Sequence, residues 1–101
     1  MIIWVDDVRK PPRESYIWVK SVWDAIETIV ESETNGRQIE MIDLDHDAGD
    51  FYQFGGDYIK ILDWLSYTGR NYDIKIHSAN PVGVENMRRA IRRNGWNEVS
   101  T

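Results

Sequence analysis

Acidic side chains follow two apolar segments of the chain. Asp6 and Asp7 come directly after Ile2–Val5. Asp45 follows the apolar residues of 39–44. If both segments are strands of one parallel sheet, their carboxyl ends meet at one edge, where ligands of open α/β sheets bind. Clustered carboxylates repel one another unless a cation binds or protons are retained. Oxygen ligands suit Mg²⁺ and, less selectively, Mn²⁺ or Ca²⁺. We therefore expect these three residues to hold Mg²⁺ or Mn²⁺; the alternative is that they only cap strand ends.

The only two histidines of the chain fall at the same predicted edge. His46 lies between Asp45 and Asp47, and His77 follows the apolar segment 72–76. An imidazole can exchange a proton near neutral pH or ligate a metal. We predict His46 and His77 as catalytic acid and base. The alternative for each is a histidine that only bonds a backbone carbonyl near a loop.

Two polar residues after the segment 72–76 are candidates for binding phosphate. Ser78 and Asn80 precede Pro81, which is well placed in the first turn of a helix. Their side chains could bind a phosphoryl oxygen together with the free amides of that helix start. The alternative is that Asn80 serves only as the helix cap. Both roles are compatible.

The segments between these residues alternate between strand and helix patterns. Apolar or β-branched runs predict strands at 2–5, 16–19, 39–44 and 72–76, with a short closing strand at 96–99. Three amphipathic helices are expected, the first capped by Ser21 and ending at Asn35-Gly36, the second capped by Asp57 and ending at Gly69, the third running from Asn80-Pro81 to Gly95. Two prolines predict a surface loop at 9–15, and glycines predict a flexible loop at 49–56.

Length and composition set limits on the class of protein. The 101 residues fit a single domain, 1–101. Without cysteine there is no disulfide scaffold, thiolate zinc site or cysteine nucleophile, which agrees with the cytoplasmic location we expect. A net charge of −5 argues against charge-driven nucleic-acid binding, but not against a contact through a metal. No apolar run approaches the roughly 20 residues of a membrane span, and residues 1–5 meet acids too soon for a signal peptide.

The order of these polar clusters resembles the receiver domain of response regulators. In that domain an acid pair after the first strand holds Mg²⁺, an aspartate after the third accepts a phosphoryl group, and a serine or threonine after the fourth contacts it. Asp6-Asp7, Asp45 and Ser78 stand in these positions. The resemblance therefore adds Asp45 to the candidate catalytic residues, beside its place among the metal ligands.

The chain is more closely similar to the cyclic-phosphate-processing receiver domain family, over essentially its whole length. The motifs that carry this resemblance are Val5-Asp6-Asp7-Val8-Arg9-Lys10-Pro11-Pro12, Asp43-Leu44-Asp45-His46-Asp47-Ala48-Gly49, and His77-Ser78-Ala79-Asn80-Pro81-Val82-Gly83 followed by Asn86-Met87. The resemblance implies that Arg9 joins Ser78 and Asn80 in binding phosphate, and that His46 and His77 are additions of this family. Its members are expected to process cyclic phosphates.

The implied fold is α/β: a three-layer receiver-like (flavodoxin-like) parallel sheet of four to five strands, with the first receiver helix replaced by the proline-rich loop at 9–15. An ordinary receiver also has a lysine after its last strand, and 96–101 contains none. We therefore rank phospho-acceptor signalling last.

The expected function is metal-dependent chemistry on a cyclic phosphate. The ligand would be the 2′,3′-cyclic phosphate end of an RNA or a cyclic nucleotide, with no membrane partner. The alternative is a catalytically silent receiver-like module that binds or sequesters a partner protein or a cyclic nucleotide.

Overall fold

The computed structural model describes residues 1–100, and it confirms the predicted alternation of strands and helices. Strand β1 spans Ile2–Val5, β2 Ile17–Val19, helix α1 Val22–Thr34, β3 Met41–Leu44, α2 Ile59–Tyr67, β4 Ile74–Ile76 and α3 Pro81–Asn94. A 3₁₀ helix, Gly49–Phe54, lies between β3 and α2. Within the described residues, every helix is too short or too polar to cross a membrane.

The four strands form one parallel sheet in the order β2-β1-β3-β4. Trp4 is in register with Trp18 on one side and with Asp43 on the other, and Asp43 is in register with Lys75. Because side chains alternate between the faces of a strand, these four residues form a row on one face. The carboxyl ends of β1, β3 and β4 are neighbours at one edge, as the α/β receiver-like fold requires.

The apolar core lies on the opposite face of the sheet. Strand residues such as Ile3, Ile42 and Ile74 are fully buried there. All three helices contribute to the same core, through Val22, Ala25, Ile29, Ile61, Leu62, Leu65, Met87, Ala90 and Ile91. Each fully buried aliphatic side chain contributes about 1.5–3 kcal/mol. Their stripes therefore hold the helices on one side of the sheet.

The other face is covered by the segment between β1 and β2 instead of a helix. The Trp4 indole Nε1 donates to the Arg9 carbonyl at 2.7 Å, and Trp18 Nε1 donates to the Asp6 carbonyl at 2.8 Å. These bonds tie the proline-rich segment to the row of side chains on that face. The predicted replacement of the first receiver helix is confirmed, and the third layer here is a loop.

Two of the three predicted helix caps are confirmed. The Asp24 amide donates to Ser21 Oγ at 3.1 Å, and the Gly83 amide donates to Asn80 Oδ1 at 3.0 Å. Asp57 does not cap α2, because Tyr58 occupies the cap position. The Asp57 carboxylate accepts instead from the Ala48 amide at 3.0 Å.

Two further predictions differ from the structure in detail. The glycine-rich segment at 49–56 contains the 3₁₀ helix, so it is more ordered than the glycines indicated. The predicted strand 96–99 is reduced to a single parallel bridge between Ile74 and Glu98. The sheet therefore has four strands and one extra bridge at its β4 edge.

Candidate functional site

The last backbone bonds of the sheet bring the candidate site residues together. Beyond the strand ends, the Asp6 amide donates to the Val19 carbonyl at 3.2 Å, Asp45 to Val5 at 2.9 Å, and His77 to Leu44 at 2.9 Å. Because these bonds pair the adjacent strand ends, the side chains of Asp6, Asp45 and His77 lie close to one another. These residues follow β1, β3 and β4, the three strands whose ends were expected to meet.

Three carboxylates converge at this edge. Asp6, Asp7 and Asp45 each offer an oxygen, and these oxygens lie within 4.8 Å of one another. Asp6 is buried, and the other two are half-buried. The sequence predicted this group, and hard oxygen ligands at this spacing suit a divalent cation.

The two acids of the pair have opposite electrostatic surroundings. Burial raises the pKa of Asp7, and the charges of Asp6 and Asp45 raise it further. Burial also acts to raise the pKa of Asp6, but the Arg9 and Val8 amides and then His77 outweigh it, so the pKa of Asp6 is lowered. Of these two acids, Asp7 is therefore the one with fewer compensating partners.

His77 lies clamped between two carboxylates. Its Nδ1 is 2.6 Å from Asp43 Oδ1, and its Nε2 is 2.9 Å from Asp6 Oδ2. The ring stacks on Trp4, with centroids 3.7 Å apart and planes at 5°. Both ring nitrogens are thus engaged inside the protein, and the imidazole links the ends of β1, β3 and β4.

His46 is held differently, with only one nitrogen engaged. Its Nδ1 is 2.7 Å from Asp47 Oδ1, and its Nε2 makes no hydrogen bond to residues 1–100. A Cβ at Gly83 would lie 2.4 Å from His46 Cγ, so the glycine lets α3 approach the ring. The side-chain Nδ2 of Asn80 donates to both Asp47 oxygens, at 3.2 and 3.3 Å. The arrangement orients Nδ1 and leaves Nε2 available.

Asp47 is the acid that holds this imidazole in place. The hydrogen bond to His46 lowers the pKa of the exposed Asp47 more than desolvation raises it, and Asn80 lowers it further. Asp47 therefore stays ionised and favours a proton on His46 Nδ1. Such a carboxylate fixes the tautomer of a histidine whose other nitrogen meets the substrate.

A second group near the first can also supply metal ligands. His46, Asp47 and Asp57 place one ligand atom each within 4.8 Å of one another. Sequence reasoning missed Asp57 here, because its position before an apolar helical stripe is typical of a cap. Its link to Ala48 crosses nine residues of loop, which no local pattern encodes.

The predicted phosphate-binding residues differ in how free they are. Ser78 Oγ accepts a hydrogen bond from the backbone amide of Asn80 at 3.2 Å, which leaves the hydroxyl proton of Ser78 available. Asn80 has both amide atoms engaged, one in the helix cap and one on Asp47. Arg9 is exposed and lines, with His77 and Ser78, a cavity of about 510 Å³. The predicted roles of the site residues remain predictions, and the geometry gives Ser78 and Arg9 the freest polar groups.

Sequence reasoning named Asp43 in a motif at this edge but gave it no role, and it missed Trp4 as part of the site. Both are nearly fully buried, and they face each other across β1 and β3. The period-two pattern of β3 carries one signal: Asp43 alternates with buried Ile42 and Leu44, so it faces away from the core.

Comparison with known protein families gives a match over most of the chain. A family model described as "Cyclic-phosphate processing Receiver domain" matches residues 1–93. The searches of curated proteins and of solved structures found no match. The matched range includes every residue discussed at this edge of the sheet.

Proposed function

This chain belongs to the cyclic-phosphate processing receiver domain family, and we propose that it opens a cyclic phosphodiester at the carboxyl edge of its sheet. The observation that carries the proposal is that an acidic cluster, an oriented imidazole and a free hydroxyl all follow strand ends at one edge of the parallel sheet. The acidic cluster is Asp6, Asp7 and Asp45, the imidazole is His46, and the hydroxyl is Ser78. The ligand would be a nucleoside cyclic phosphate or a cyclic-phosphate RNA end.

The donor set of the acidic cluster fits Mg²⁺ or Mn²⁺. It consists of carboxylate oxygens, which these hard cations prefer. Burial and then its acidic neighbours raise the pKa of Asp7, and a bound cation would favour its ionised form. A divalent ion on Asp6, Asp7 and Asp45 would neutralise phosphate oxygens. The ion would then bridge the like charges of the acidic cluster and of the ligand.

The protein's own residues supply the proton transfers. Water adds to phosphorus, and one ester P–O bond breaks to leave a phosphate monoester. His46 Nε2 takes the proton of the attacking water, and the resulting imidazolium returns a proton to the departing ester oxygen. Asp47 holds Nδ1 throughout. The Ser78 hydroxyl donates a hydrogen bond to a phosphate oxygen and keeps its proton.

The two predicted histidines would have different roles in this scheme. Both nitrogens of His77 are engaged by Asp43 and Asp6, and its side chain is 11% exposed. It would therefore position Asp6 for the metal, while His46 exchanges the proton. His77 is then a positioning residue.

The test is turnover of a nucleoside 2′,3′-cyclic phosphate with Mg²⁺ or Mn²⁺, followed by phosphorus NMR. His46→Ala is expected to lower turnover by about 10²–10⁴-fold, the usual contribution of general acid–base catalysis. Arg93→Ala, on the exposed part of α3, is the matched control. Turnover unchanged in His46→Ala would refute the assignment.

A binding module that does not turn the ligand over is the second candidate. The observation in its favour is that both nitrogens of His77 are engaged by carboxylates. Of the four ring nitrogens of the two histidines, His46 Nε2 is then the one left to exchange a proton with a ligand. Tight binding of a cyclic nucleotide with no product after prolonged incubation would support this candidate.

A further inference from the structure

The sheet face opposite the core carries a cavity that extends beyond the residues used in the proposed reaction. Its volume is about 510 Å³, within the range of small-molecule sites. Tyr16 and Lys75 lie on its walls, and His77 and Ser78 connect it to the candidate phosphate site. A ligand held at Ser78 could therefore extend directly into this space.

The cavity has positive charge that the protein does not neutralise. Arg9, Lys10 and Lys75 line it, and none of them makes an ion pair with residues 1–100. Asp43 is the acid among its lining residues, and that carboxylate is bonded to His77 at 2.6 Å. The cavity therefore complements an anion, unlike the acidic cluster beside it.

Aromatic side chains supply the apolar part of the lining. Tyr16 is half-buried, and its ring centroid is 6.3 Å from that of Trp4 at a tilt of 54°. The Tyr16 hydroxyl makes no hydrogen bond to residues 1–100, so nothing within them fixes the outer end of the ring. An aromatic platform flanked by cations is the arrangement that binds a nucleobase beside its phosphate.

We propose that this cavity binds the base and ribose of a mononucleotide whose cyclic phosphate occupies the candidate site. The inference rests on the proposed function and adds the substrate class to it: a free nucleoside cyclic phosphate. Charge favours a mononucleotide over an RNA chain, because the whole protein carries −5 and a longer polyanion would be repelled beyond the cavity.

The test measures binding of two probes by calorimetry, in Mg²⁺, to wild type and variants. The probes are adenosine 2′,3′-cyclic phosphate and glycerol 1,2-cyclic phosphate, which lacks a base. Tyr16→Ala is expected to weaken binding of the nucleotide by at least about fivefold, because it removes the stacking of one base on an aromatic ring. The affinity for the glycerol probe should change by no more than about twofold. Tyr16→Phe should restore binding. Tyr67→Ala, a fully exposed tyrosine on α2, is the control.

The outcomes separate the cavity from the reaction. Turnover of both probes with equal affinity, unchanged in Tyr16→Ala, would overturn the base-binding cavity and leave the reaction standing. Tyr16-dependent binding without turnover would uphold the cavity and refute the reaction. If the nucleotide does not bind at about 1 mM, both the base-binding cavity and the proposed reaction would be overturned. A dinucleotide ending in a cyclic phosphate that binds more tightly than the mononucleotide would overturn the choice of a free nucleotide.

Discussion

Replacing Asp7 by asparagine should stabilise the metal-free protein. The three carboxylate oxygens lie within 4.8 Å of one another. At 4.8 Å, a pair of charges repels by about 3.5 kcal/mol at an effective dielectric constant of about 20, and by about 0.9 kcal/mol at about 80. Asp7 makes two such pairs and is half-buried. Because it can also retain a proton, we take the low end, a gain of about 1–2 kcal/mol for Asp7→Asn.

The effect should depend on pH in a defined direction. Burial and the neighbouring acids raise the pKa of Asp7 in the folded protein above 3.8. A carboxyl with a raised folded-state pKa contributes stability below its unfolded pKa, and this contribution is lost as pH rises through the folded pKa. The advantage of Asp7→Asn should therefore be absent in strong acid and fully developed at neutral pH.

Thermal unfolding followed by circular dichroism tests this in EDTA and in MgCl₂. In EDTA at neutral pH, Asp7→Asn should raise the Tm by roughly 4–8 °C for each kcal/mol. Mg²⁺ should reverse the order, because wild type gains about 2.7 kcal/mol when free Mg²⁺ is about 100 times Kd. Asp63→Asn, an exposed acid on α2, is the control and should change little. A lower Tm for Asp7→Asn in EDTA, or an equal response of both proteins to Mg²⁺, would refute the reasoning.

Substitutions at three other positions test a close approach, a helix cap and an ion pair of the fold. Gly83→Ala places a Cβ 2.4 Å from His46 Cγ and should cost about 1–3 kcal/mol of overpacking, measured by urea unfolding; an unchanged midpoint would contradict the close approach. Ser21→Ala should cost about 1 kcal/mol through the lost cap of α1, while Ser21→Asp should retain most of it. The bonds from Arg70 lower the pKa of Glu33 below 4.5, so the stability this pair adds is present above pH 4.5 and lost as pH falls through the folded pKa. Glu33→Gln should therefore cost about 0.5–1 kcal/mol at neutral pH and nothing in strong acid, as read from unfolding curves across that range.

Local patterns predicted the parts of the fold that local chemistry determines. Apolar runs such as Ile2–Val5 can be buried on both faces only in a central strand, and β1 is central here. Ser21 and Asn80 bond amides three residues away, so their caps are readable from spacing alone. The meeting of Asp6, Asp7 and Asp45 followed from one general rule about parallel sheets.

Contacts that depend on register could not be read in this way. Asp43 meets His77 across 34 residues only because β3 and β4 pair in one particular register. A shift by one residue would turn Asp43 into the core. For Asp57 a local pattern predicted a helix cap that does not form. Its carboxylate accepts a hydrogen bond from the Ala48 amide across the loop instead.

The clamp on His77 also couples the site to the local opening of the strand ends. The amides of Asp6, Asp45 and His77 form the last rung of the backbone ladder, while their side chains form the cluster and the clamp. We expect these three amides to exchange their hydrogens together, since none can open without breaking the strand ends of its neighbours. A ligand on the carboxylates should slow all three in step. A mutation that removes the site should therefore also fray the strand ends, and the exchange rates of these three amides should rise together.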